Sequence, residues 1–389
     1  MTVTDPVRRP RFLHIFPMFD PGGAELRISS TINYMGPGAG HAILSIDGSF
    51  GARYRLDPAC EVRFFAGPPK HNPIQFIRDL RRQIRELDPC VLLTYNWGAT
   101  DAVIAARLDG REPVIHNECG LSNEFDGRGR RRALARRIIL SKVYRTVVVS
   151  ETLRRLAIER FHLPAERVRF IKTGVDIQRF RPGRNEELRA QIGPGPNGLV
   201  FGYMGTLKPT KNPAMLIRAF AAMERDPGDR LALFGDGPLR GELETLAREL
   251  GVAGRVRFMG HFQDVSACYP AIDVYVSASR SEQASNSLME AMATGLAAVV
   301  TDIADNKILL VDEERPFVLE MTDESGFTAA MRRLAGDAGL RQHLGALNRR
   351  RCETELSLER MFREYSSLWE EAARSAGPCR DGRVSPQPS

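Results

Sequence analysis

The feature that most constrains this chain is an alternation, run twice, between short β-rich apolar segments and stretches whose apolar residues recur at three-to-four spacing. In the first series RFLHIFPMF (11–19), HAILSI (41–46), VLLTY (91–95), PVIH (113–116), YRTVVVS (144–150) and VRFI (168–171) are bounded by Gly, Pro or Asp, as strands are. Between them AELRISSTINYM (24–35) and PIQFIRDLRRQIREL (73–87) carry the helical period. Strand–helix–strand order of this kind predicts a parallel, doubly wound sheet. A Pro- and Gly-rich stretch, RPGRNEELRAQIGPGPNG (181–198), then breaks the pattern and reads as a linker. The second series is LVFGYMG (199–205), RLALFG (230–235), RVRFMG (255–260), VYVSAS (274–279), AAVVTD (297–302) and PFVLE (316–320), with helices over 212–224, 239–250 and 285–294. The expected class is α/β: two Rossmann-like doubly wound parallel-sheet domains facing a cleft, where strand C-termini bind ligands. The domains are drawn at 1–184 and 185–350, followed by a helix over 351–374 packing back on the first domain and a disordered tail over 375–389.

Composition narrows the function classes. With 389 residues, 43% hydrophobic and 26% charged, the chain has an ordinary globular make-up and enough length for two cores. The six cysteines, at 60, 90, 119, 268, 352 and 379, form no Cys-x-x-Cys pair and no metal spacing, so reduced thiols are expected. Neither a secretory leader nor a run of about 18 apolar residues is seen, so the expected location is cytoplasmic. The net charge of +7 allows anionic partners, but there is no aromatic platform or recognised module for nucleic acid. Lysine occurs only at 70, 142, 172, 208, 211 and 307, which draws attention to those positions.

The sharpest local signal is SRSEQASNSLMEAMATGLAAVVTD (279–302). Ser285 suits an N-cap, and Gly295 suits the C′ position before the next strand. Asn286 and Glu290, four apart, share a helix face. Glu282 precedes the helix, on the loop after a strand. Two carboxylates can accept from sugar hydroxyls, and the helix start at Asn286 and Ser287 offers N–H groups to a phosphate. Two solvated glutamates beside an amphipathic helix are the plain alternative, and the strand–loop–helix–Gly–strand context weighs against it.

GYMGTLKPTKNPAMLIRAF (202–220) places Gly205, Thr206, Lys208 and Lys211 at a strand-to-helix turn. Gly205 permits close backbone approach to a phosphate, and Lys211 can offset the charge of a leaving diphosphate. FPMFDPGGAEL (16–26) brings Gly22 and Gly23 to a similar turn, without the Gly-x-Gly-x-x-Gly fingerprint. FGDGP (234–238) reads as a structural turn. PVIHNECG (113–120) sets His116 and Glu118 just past a strand, facing the cleft from the acceptor side; a satisfied buried histidine is an equal alternative. No Asp-x-Asp or His-Glu-x-x-His spacing appears, so no metal or other cofactor is expected.

These segments, in this order, resemble the retaining, GT-B-fold glycosyltransferases of family 4. The match rests on GGAE (22–25), IKTGVDIQRFRP (171–182), GTLKPTKNP (205–213), FGDGP (234–238), EQASNSLMEAMATG (282–295) and TDIADN (301–306). The resemblance implies metal-independent transfer of a sugar from a nucleotide-sugar donor to a glycan, lipid-linked or small-molecule acceptor, with retention, in bacterial cell-envelope or exopolysaccharide synthesis. It casts Glu282 at the donor sugar, Glu290 at the ribose, Lys211 at the diphosphate and Gly22–Gly23 over the phosphates. His116 or Glu118 falls where the family often has an acceptor-side histidine motif. Three positions depart from the family pattern: Thr206 stands for an arginine, Gln283 for a glycine and Cys119 for a histidine. Thr206 and Gln283 keep open a nucleotide-sugar binder without turnover, and fold alone leaves open an epimerase or hydrolase. The stretch over 128–145 mixes arginines with Ile138, Ile139 and Leu140. It reads either as a contact with an anionic membrane face or as a solvated surface, the second carrying slightly more weight.

Overall fold

The computed structural model describes residues 11–70, 72–111, 113–120, 129–223, 226–282 and 285–377. The chain divides into two compact units: unit 1 runs to Lys172 and resumes at Phe362, and unit 2 is Thr173–Met361. The divide thus precedes the linker stretch instead of falling at 184/185. The reason is packing, since Val175 bridges to Ser357 and Phe180 joins the core of unit 2 edge-on to Tyr269.

Unit 1 is a seven-stranded parallel sheet of β1 (Phe12–Phe16), β2 (His41–Ser45), β3 (Val62–Ala66), β4 (Val91–Tyr95), β5 (Val114–Glu118), β6 (Arg145–Val148) and β7 (Val168–Phe170). Its order is β3-β2-β1-β4-β5-β6-β7, so the chain reverses direction across the sheet between β1 and β4. The helices follow from sequence. In Pro73–Leu87, Asn72 Oδ1 accepts from Gln75 N at 2.9 Å, Pro73 opens the first turn, and Phe76, Leu80 and Ile84 bury one face. The apolar run of β3 goes unread in the sequence because Arg63 interrupts it; as an edge strand it is only half-buried. On one sheet face the last helix, Leu358–Ser375, brings Trp369 within 5.1 Å of His14 and 6.0 Å of Phe12, ring to ring.

Unit 2 is a six-stranded parallel sheet of β8 (Val200–Met204), β9 (Arg230–Phe234), β10 (Val256–Gly260), β11 (Val274–Ser277), β12 (Ala297–Thr301) and β13 (Val318–Leu319), ordered β10-β9-β8-β11-β12-β13. Apolar clusters fill both faces, as two-sided burial of a parallel sheet requires. No described helix is long and apolar enough to cross a membrane. Cys60, Cys119, Cys268 and Cys352 are free thiols, whereas Cys90 is disulfide-bonded, which corrects the expectation of reduced thiols throughout.

Candidate active site

In unit 2 the strand order reverses between β8 and β11, the kind of switch point where a doubly wound sheet opens its ligand crevice. The loops following these strands meet there, with Arg280 N–H donating to the Thr210 carbonyl at 2.8 Å. The Lys211 ammonium donates to Glu282 Oε1 in an ion pair whose side chains are 22% and 15% exposed. Ser279 donates to the same carboxylate oxygen at 2.9 Å, and the Ser279 carbonyl accepts from Thr301 Oγ1 at 2.6 Å. Ser285 occupies the N-cap position but spends its hydroxyl on Asn306 Oδ1, so it ties the loop to the segment after β12 and makes no side-chain cap. Asn306 Nδ2 in turn donates to the Thr301 carbonyl at 2.9 Å. Residues 282 and 211 are therefore held together by a network anchored on two strand ends.

The turn after β8 depends on glycine. Gly205 has φ +155 and donates its N–H to the Phe234 carbonyl at 2.9 Å. A Cβ on Gly235, itself at φ +131, would lie 2.0 Å from the Gly205 oxygen. The FGDGP turn is thus structural, as its glycines suggest, and it braces the candidate phosphate loop. Thr206 and Lys208 are exposed along that loop, and a 3-10 turn at Pro209–Lys211 leads into the helix Pro213–Met223.

The helix Asn286–Ala293 presents Asn286 to solvent and leaves Ser287 and Glu290 half-buried. The Tyr269 hydroxyl donates to Glu290 Oε2 at 2.6 Å, and the Tyr275 hydroxyl donates to Ser287 Oγ at 2.8 Å. Burial pushes the Glu290 carboxyl up, while the Tyr269 hydrogen bond and the Arg179 charge pull it back. No sequence motif surrounds the two tyrosines, and only the fold brings them under this helix. Gln283 lies outside the described residues.

In unit 1, Gly22 takes the N-cap position of the helix Gly23–Met35, directly after the β1 loop. His116 and Glu118 are placed differently from the sequence reading. Both lie inside β5, not past it, and are 0% and 3% exposed. The His116 Nδ1 atom shares a hydrogen bond with Thr94 Oγ1 at 2.8 Å. Arg136 Nε donates to Glu118 Oε2 at 2.8 Å, with its guanidinium over the rings of Trp97 and Phe161. Burial alone would raise the Glu118 carboxyl; His116 and Arg136 hold it below its usual range. The pair is a buried polar network, so neither residue presents itself to an acceptor here. Polar Asn117 and Glu118 make the segment look like a loop, yet a strand interior tolerates a carboxylate such as Glu118 whose Oε2 accepts from Arg136.

Comparison with known proteins agrees with this architecture. Residues 21–179 match the family model for Glycosyltransferase Family 4, and residues 198–337 match that for glycosyl transferases group 1. The putative glycosyltransferase EpsF of Bacillus subtilis is 28% identical over 317 residues, spanning 77% of this chain and 80% of EpsF. An Escherichia coli UDP-Gal:alpha-D-GlcNAc-diphosphoundecaprenol alpha-1,3-galactosyltransferase is 28% identical over 243 residues, 60% of this chain and 63% of the relative. Among solved structures, Anabaena HepE in complex with UDP superposes with a TM-score of 0.80 at 18% identity, covering 93% of this chain and 100% of HepE, a likeness of fold.

Proposed function

Because the chain belongs to the GT-B glycosyltransferases through its family 4 and group 1 domains, we propose that it moves a sugar, with retention and without a metal, from a nucleotide-sugar donor held on unit 2. The observation that carries this reading is the convergence of Lys211, Glu282, Gly205 and Glu290 around the β8/β11 switch point. Lys211 pairs with Glu282 in the free protein, and an ammonium has further protons to offer a diphosphate oxygen. It would therefore stabilise the charge that develops on the departing nucleotide, an effect strengthened by partial removal from water. Gly205 lets the backbone reach the phosphates, with Thr206 and Lys208 as further contacts. Tyr269 fixes one Glu290 oxygen and leaves Oε1 to accept from a ribose hydroxyl, while Asn286 and Ser287 open the helix toward the donor. Glu282, oriented by Lys211 and Ser279, takes the donor-sugar position.

The acceptor is a glycan or lipid-linked molecule of cell-envelope or exopolysaccharide synthesis, received on unit 1. The diphosphoundecaprenol acceptor named for the Escherichia coli relative supports that class, as does the basic face of the helix Gly129–Leu140, which suits peripheral contact with an anionic membrane. UDP in the HepE complex makes uridine diphosphate sugars the first donors to try. The test is turnover of a nucleotide-sugar panel with extracted acceptors. Lys211→Ala and Glu290→Ala are each expected to lower kcat/KM by about 100-fold. Wild-type rates in both variants would show that the donor site lies elsewhere.

A further inference from the structure

Unit 1 has its own switch point, between β1 and β4, and the donor contacts proposed on unit 2 leave it unused. The ends of β1, β4 and β5 bring together Glu25 and Arg27 from the first turns of Gly23–Met35, Asn96 after β4, and Asn117 and Cys119 at and after the end of β5. Asn96 is held in the left-handed region at φ +57, and its Oδ1 accepts from Cys119 N at 3.0 Å.

Arg27 is the unusual member. It is half-buried, its Nη1 donates to the Cys119 thiol at 3.5 Å, and its buried Nε has no hydrogen-bond partner. Among the described residues it forms no ion pair. The nearby carboxylate, Glu25, is turned toward the start of its own helix, where a Cβ on Gly22 would lie 2.5 Å from its Oε2. A further buried polar atom at this end of the unit also lacks a partner, Asn117 Oδ1, on a side chain 1% exposed, while the Tyr365 hydroxyl, 0% exposed, from the returning C-terminal helix lies beside the Arg27 guanidinium.

A guanidinium withdrawn from water without a counter-charge is costly, and its natural complement is an oxyanion that takes two of its N–H groups at once. We propose that the acceptor carries an oxyanion, phosphate or carboxylate, and that Arg27 seats it at the β1/β4 crevice of unit 1. This rests on the reading that unit 1 receives the acceptor.

The experiment uses the full chain with UDP saturating the donor site, and titrates methyl glucoside, methyl glucuronide and glucose 6-phosphate calorimetrically. The neutral sugar is expected to bind about tenfold more weakly than at least one charged sugar, and the two charged arms separate carboxylate from phosphate. Arg27→Gln should erase the preference and Arg27→Lys should keep part of it, with the fold of each variant checked by its UDP affinity. Equal affinity for all three sugars in the wild type, or a preference that survives Arg27→Gln, overturns the proposal. Failure of the wild type to bind any nucleotide sinks the donor-site reading instead, so the two failures are distinguishable.

Discussion

At Gly235 a side chain has nowhere to go. Its φ of +131 disfavours L residues, and a Cβ would collide with the Gly205 oxygen at 2.0 Å. Gly235→Ala is expected to cost about 1–3 kcal/mol and to shift the Gly205 loop, lowering UDP affinity as well. Thermal melts and nucleotide titration check both; an alanine variant with unchanged melting and binding would mean that FGDGP is no brace. Residues differ in how much of this is visible from sequence. Gly205 announces its role through the strand–Gly–helix pattern. Tyr269 does not, because its link to Glu290 spans 21 positions and depends on how a helix packs on a sheet.

Among elements, the helix Gly129–Leu140 puts Ala133, Arg136 and Leu140 inside while Arg131, Leu134, Arg137 and Ile138 face outward. Leu134 and Ile138 are 57% and 61% exposed, and Leu108, 60% exposed, ends the neighbouring helix Thr100–Leu108. Arg107 Nη1 joins the two helices by donating to the Ile138 carbonyl at 2.7 Å. Apolar residues rimmed by arginines match the chemistry of an anionic bilayer surface, where each basic side chain contributes about 1 kcal/mol. The double variant Leu134→Asp, Ile138→Asp should reduce co-sedimentation with phosphatidylserine-containing vesicles by about tenfold or more. Wild-type protein that stays in the supernatant would remove the membrane reading. The same helix shows the limit of periodicity: the spacing marks an amphipathic segment, but which side is inward follows from Arg136 reaching Glu118 in β5.

On the scale of the whole molecule, the two units carry buried titratable groups of opposite tendency. In unit 1, His14 and His41 are hydrogen-bonded to each other at 3.0 Å beside Trp369. Burial, and then His41, hold His14 well below its usual range; burial, and then Arg11, bring His41 down to about 4. Both are neutral in the fold, so stability present above pH ~6.5 is lost as the pH falls toward 4. In unit 2, burial pushes Glu314 up to about 7 against the pull of Ala298 N–H and Asn348. Its contribution is fully present below its ordinary value and is lost as the pH rises through 7. For His41 and for Glu314 the effect is on the order of 3 kcal/mol each. Acidification from pH 7 to 4.5 should therefore loosen β1 and β2 while tightening β12, read by amide hydrogen exchange corrected for intrinsic rates. Glu314→Gln should flatten the unit 2 response, and parallel trends in both units would refute the assignment. The sequence by itself determined two parallel α/β sheets, the strand-to-helix turns and the residues gathered on them, because strand and helix periods and glycine turns are local properties of the backbone. Only the tertiary structure decided that Lys211 meets Glu282, that His116 and Glu118 are buried in β5, that Arg27 donates to Cys119 and that the chain returns to unit 1 at Phe362. Those outcomes depend on contacts between residues up to hundreds of positions apart, set by packing and desolvation that no local spacing encodes.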